Sequence, residues 1–146
     1  MPALDSKKMS KIALNIISQE KPILSEEVDQ VTAPATTGEV TILPMHIPLF
    51  TKLNDGVITI KTGSITREFA VLGGFMDVGP NSKVTILADA AIHADDINVA
   101  KAEEAKRMAE EAMQHKVSEV EYKIAESSLR KALLELKVGN RRRQKQ

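Results

Sequence analysis

Residues 84–112 read "VTILADAAIHADDINVAKAEEAKRMAEEA", and within this stretch the chain changes its period. Val84, Ile86 and Ala88 recur at every second position, the spacing of a strand with one side in a core. Ala102, Ala105, Ala109 and Ala112 are instead spaced three, four, three, which lines one face of a helix. The chain therefore divides near position 93 into a strand-built part and a helix-built part.

Working back from that boundary, the period of two repeats. Ile12, Leu14 and Ile16 alternate, as do Val40 and Ile42, then Ile58 and Ile60. Ile65, Phe69 and Val71 fall on one side of a further strand. Asn54-Asp55-Gly56, Lys61-Thr62-Gly63-Ser64 and Gly79-Pro80-Asn81-Ser82 separate these runs with residues that tolerate positive φ or fix a turn. Several strands at this spacing indicate an antiparallel sandwich or barrel. All six prolines lie before residue 83. "LGGF" at 72–75 reads as a bulge or a close-packing point, since a strand and not a helix follows it.

Working forward, no glycine or proline occurs after position 93 until Gly139. Asp95 or Asp96 is expected to cap the first helix. Ser118 with Glu121 fits a capping box for a second helix, whose stripe is Tyr122, Ala125, Leu129, Ala132 and Leu136. Glu103–Arg107, Glu119–Lys123 and Glu126–Arg130 are favourable i,i+4 pairs. Gly139 is expected to end that helix as a C′ residue. The short connection around His115 to Ser118 folds the two helices back as an antiparallel hairpin. The fold class is thus α+β: an N-terminal antiparallel β-sandwich followed by a C-terminal two-helix hairpin. The expected boundaries are a flexible lead at 1–10, the sandwich at 11–93, the hairpin at 94–138 and a basic tail at 139–146. An alanine seam buries little area, at ~0.8 kcal/mol per CH₂-sized group, so the hairpin should be ordered but weakly held.

Composition removes several functions. Acidic and basic residues balance at 20 each, which leaves no basic field for nucleic acid. Without cysteine there is no disulfide framework or thiolate chemistry. No stretch approaches the ~20 apolar residues of a membrane span, so no direct membrane insertion is expected. "MPALDSKKMSKIALNIIS" reads as a lead and a first strand, not a signal peptide.

Chemistry is equally sparse. His46, His93 and His115 fall in different elements without metal-ligand spacing. Asp89, His93, Asp95 and Asp96 are close in sequence, but a strand exit and a helix cap account for them. No nucleophile elbow or P-loop occurs. Catalytic residues, metal sites and cofactors are therefore expected to be absent. The segment 41–50, "TILPMHIPLF", is apolar yet broken by Pro44 and Pro48, which keep it from pairing as a central strand. Arg141, Arg142, Arg143 and Lys145 suit either an acidic partner or a solubilising end. Physics alone reaches an interaction module: a sandwich carrying a hairpin.

Four ordered segments resemble the epsilon-subunit family of bacterial F-type ATP synthases, called delta in mitochondria. They are "ILSEEVDQVTAP" (23–34), "GEVTILPMHIPLFT" (38–51), "LGGFMDVGPNSKVTILAD" (72–89) and the helical run 100–111. The second is similar to G-E-L-G-I-L-P-G-H-A-P-L-L-T, with Met45 where the signature has glycine. The resemblance implies a non-catalytic rotor subunit of the central stalk, at the cytoplasmic face of the bacterial plasma membrane. It would couple the proton-driven c-subunit ring to the gamma subunit. Gly38 and Glu39 would meet the c ring, and Pro44, His46, Pro48 and Leu49 the gamma shaft.

The resemblance also implies a regulatory hairpin that extends to the alpha/beta catalytic head and restrains hydrolysis. Its working residues would be Ala105, Ala109, Ala112, Leu129 and Ala132, with Arg130 and Lys131 as basic contacts. An ATP motif, I/L-D-x-x-R-A, is degenerate here: Ile97 and Ala102 are kept, Asn98 replaces the acid and Lys101 the arginine. Lysine lacks the bidentate fork that grips phosphate, and a second-helix position usually basic in ATP binders is Glu135. Weak or no ATP binding follows. A free-standing sandwich module and a ligand sensor with the hairpin as lid are the alternatives.

Overall fold

Branched apolar residues at alternate positions build the first unit. The computed structural model describes residues 11–115 and 118–144, and its contacts divide the chain between His93 and Ala94. The lead at 1–10, Lys116, Val117 and the last two residues lie outside the described residues.

The first unit holds β1 (Ile12–Ser18), β2 (Pro22–Val28), β3 (Gln30–Ala35), β4 (Gly38–Ile42) and β5 (Leu49–Lys52). It continues through β6 (Gly56–Thr62), β7 (Ile65–Leu72), β8 (Phe75–Val78), β9 (Lys83–Ala88) and β10 (Ala90–His93). They form two five-stranded sheets, ordered β2-β1-β9-β8-β5 and β10-β7-β6-β3-β4. Pairing is antiparallel except between β1 and β9, which run parallel with Ala13 opposite Lys83.

The inward face follows the alternation. Ile12, Leu14 and Ile16 from β1 meet Val84 and Ile86 from β9 in one sheet, and Ile58, Ile60, Phe69 and Val71 line the other. Ile65 departs from the expected pattern and is exposed, because β7 begins at the sheet margin before its buried half at Phe69–Leu72. Strand β3 holds a proline without breaking. Its register with β6 covers only Gln30 to Thr32, so Pro34 sits beyond the pairing that would need its missing N–H. The "LGGF" reading holds. Gly74 has φ 109°, and a Cβ there would lie 2.0 Å from the Leu87 carbonyl oxygen.

One turn carries an electrostatic tie. Asp29 accepts the Gly63 N–H at 2.6 Å and the Lys11 ammonium at 2.5 Å. The Gly63 N–H, with Lys11 beside it, holds the Asp29 carboxyl below the usual carboxylate range.

The second unit opens with a short 3₁₀ turn, Ala94–Asp96, followed by α1 (Val99–Gln114) and α2 (Glu119–Gln144). Two expectations about helix ends are corrected. Asp95 and Asp96 sit in the 3₁₀ turn, and the cap of α1 is Asn98, whose Oδ1 accepts the Lys101 N–H at 3.1 Å. Gly139 does not stop α2, which runs to Gln144. Ser118 behaves as expected, accepting the Glu121 N–H at 3.2 Å. Arg107 turns to Glu111 at 3.4 Å and to Glu104 at 3.9 Å, neither of them the Glu103 partner expected from spacing.

Candidate functional site

Two exposed features of the sandwich and two of the hairpin gather the residues singled out by sequence, and a third on the sandwich joins them. The first is the β3–β4 turn. Pairing of Ala35 with Gly38 leaves Thr36 and Thr37 at its tip, and the Thr36 N–H donates to the Lys52 carbonyl at 3.0 Å. Gly38 takes φ 129°, a region closed to most side chains, and Glu39 is exposed beside it.

The second is the segment between β4 and β5. The His46 N–H donates to the Leu43 carbonyl at 3.1 Å, with Pro44 and Met45 between them. Met45 has φ 68°. Proline followed by a positive φ is the pattern of a type II turn, which favours glycine at the third position. Methionine holds that place here, and its N–H donates to the Ser82 hydroxyl at 2.7 Å. The turn lifts Leu43, Met45 and Ile47 into solvent, Ile47 to 75% exposure. His46 is half-buried, and its Nδ1 lies 2.6 Å from the Ile47 carbonyl oxygen. That contact fixes the ring locally. Among the described residues, no group of three His, Asp or Glu side chains is placed to hold a metal.

Sequence reasoning missed the third feature. The register places Ile17 opposite Leu87, Leu87 opposite Phe75, and Phe75 opposite Lys52 on the outer side of one sheet. Phe50, diagonal to Phe75, stacks on it with ring centroids 5.5 Å apart. All four apolar residues are exposed, so an apolar row crosses four strands and reaches β5, next to the lifted turn. The available signal was the doublets Ile16-Ile17 and Ile86-Leu87: a strand with one solvated face has no need of the second member.

On the hairpin, the start of α1 carries the degenerate nucleotide motif. Asn98 spends its side-chain oxygen on the helix cap, and Lys101 is exposed. A cleft of about 620 Å³ opens here, bordered by Asp96, Asn98, Gly139 and Arg142. Arg142 forms an ion pair with Asp95 across its edge.

Along the hairpin, Ala102 and Ala109 of α1 and Ala125, Ala132 and Val138 of α2 are buried. Ala112, Leu129 and Leu136 are half-buried. Ala105 and Tyr122 are exposed, not sealed in the seam, and Ala105 opens onto an apolar groove. Ala105, Met108, Ala112 and Ile124 border that groove, of about 390 Å³. Arg130 and Lys131 lie on the exposed side. Among the described residues, no helix is long and apolar enough to cross a membrane.

Comparison with known proteins matches both units. Residues 11–94 match the family described as ATP synthase, Delta/Epsilon chain, beta-sandwich domain. Residues 95–139 match the ATP synthase, Delta/Epsilon chain, long alpha-helix domain. The chain is 44% identical to an ATP synthase epsilon chain of Herpetosiphon aurantiacus, over 92% of this chain and 98% of that one. It is 43% identical to one from Dehalococcoides mccartyi, over 92% of this chain and 96% of that one. A chain in the mitochondrial ATP synthase of Euglena gracilis shares the fold, with TM-score 0.65 and 24% identity over 83% of this chain and 76% of that one. With both of its units matched in order and relatives aligned along nearly their whole length, the chain belongs to the ATP synthase delta/epsilon chain family.

Proposed function

We propose that the chain is the epsilon subunit of a proton-translocating F-type ATP synthase, joining the c ring to the gamma shaft in the central stalk. Nucleotide chemistry belongs to other subunits in this reading, and the chain works at the cytoplasmic face of the membrane as a peripheral part. The observation that carries it is the exposed apolar face of the sandwich in a chain of this family. Leu43, Met45 and Ile47 adjoin the row of Phe50, Phe75, Leu87 and Ile17, more apolar surface than a free sandwich has reason to expose. Gamma is its proposed occupant, reached through Pro44, His46, Pro48 and Leu49 as well. The tip holding Gly38 and Glu39 is the proposed c-ring contact.

A charge at the centre of the face is the test. Phe50→Asp in the full chain should abolish co-purification with gamma while leaving the circular dichroism of the isolated subunit unchanged. Undiminished binding to gamma would overturn the assignment of this face.

The hairpin is proposed to regulate hydrolysis by moving between a closed form and one that reaches the alpha/beta head. Its small-residue seam gives the modest energy gap that a two-state element needs. Reconstituting the complex with and without residues after Ala94 tests this: hydrolysis should rise on deletion, and an unchanged rate rules out inhibition. Nucleotide control of the hairpin is not part of the proposal. Asn98 is committed to the cap and Lys101 has no fork, so calorimetry on the subunit should show no micromolar ATP affinity.

A further inference from the structure

Gly139 stands inside α2, five residues before its end, where an alanine would make a better helix. It is buried. A Cβ at this position would lie 2.8 Å from Cγ2 of Val99 and 3.2 Å from Cγ2 of Ile97, at the start of α1. Val99 is β-branched and helical, so its χ1 has little freedom to yield. One turn further along α2, Arg142 pairs with Asp95. The connection ties the helices at one end of the hairpin, and these contacts tie them at the other.

We propose that Gly139 is the clasp of the hairpin, a residue that trades helix propensity for close approach of α2 to Ile97 and Val99 and so sets the balance between closed and separated helices. The two halves of that trade act on different things. A side chain at 139 strengthens α2 whether the helices are together or apart, but it obstructs only the closed contact with α1. Gly139→Ala therefore favours the separated form through that obstruction. The consequence for hydrolysis rests on the regulatory reading above, whereas the clasp itself does not.

Hydrogen exchange on the full chain tests the clasp. In Gly139→Ala, amide protection in α1 should fall about tenfold, the scale of a modest overpacking penalty, while sandwich protection stays unchanged. Val99→Ala removes the methyl that the new Cβ would strike. The Gly139→Ala substitution should then cost clearly less protection in a Val99→Ala background than alone. Unchanged or increased protection in Gly139→Ala, or an equal loss in both backgrounds, would overturn the clasp. Hydrolysis by the reconstituted complex is the separate readout. If the helices loosen and hydrolysis does not respond, the clasp stands and the regulatory reading falls.

Discussion

Met45 sits in a backbone conformation that its side chain does not favour, with φ 68° in the place where a type II turn takes glycine. The turn is nevertheless held by the His46–Leu43 bond and by Ser82. Met45→Gly should therefore be more stable than Met45→Ala by about 1 kcal/mol in urea unfolding, because alanine keeps the strain and glycine relieves it. Equal stabilities would show that the turn is not strained. Gly74 is the stricter case. The Leu87 carbonyl and the Ala88 Cα leave no room for a Cβ, so Gly74→Ala should cost about 3 kcal/mol or more. Asp29 makes stability depend on pH. Its folded-state pKa lies below the ordinary 3.8, so its contribution is present above that value and is lost as pH falls through the folded pKa. The urea midpoints of the parent and Asp29→Asn should differ at neutral pH and converge in acid below 3.8. A constant gap would mean the tie does not titrate.

At the level of elements, the strands with one buried face were legible, because alternation is imposed by the core itself. β5 and β8 have four residues each, too few for a period to stand out, and β3 carries a proline that only its pairing explains. Helix ends were read less well, for a physical reason. Asp95, Asp96 and Asn98 are all competent caps, and composition does not choose among them. Gly139 likewise offers two readings, a stop or a close approach, and only Val99, whose Cγ2 lies 2.8 Å from where a Cβ would stand, distinguishes them. The candidate surface was half legible. Pro44 and Pro48 betrayed the lifted turn, while the Phe50–Phe75 row depends on a register that no sequence pattern states. Asn98 now carries its own expectation. Asn98→Ala should weaken α1 by about 1 kcal/mol, seen as lost exchange protection, and Asn98→Asp should not, since a carboxylate caps as well.

Across the described residues of the molecule, the large buried side chains belong to the sandwich, whereas the hairpin buries mainly alanines and Val138. Exchange protection should accordingly be higher in the strands than in α1 and α2, and equal protection would remove the basis for a mobile hairpin. The parallel pairing of β1 with β9 has a consequence in time. Ala13 leaves the ribosome 70 positions ahead of Lys83, its neighbour in the finished sheet. Until then β1 has only β2 beside it, and its other edge waits unpaired. The sandwich is thus a slow, long-range assembly that closes only when the first unit has been almost wholly synthesised. The hairpin is built from near neighbours in sequence and is synthesised after the strands, so its helices form from local contacts without waiting for a partner made many positions earlier.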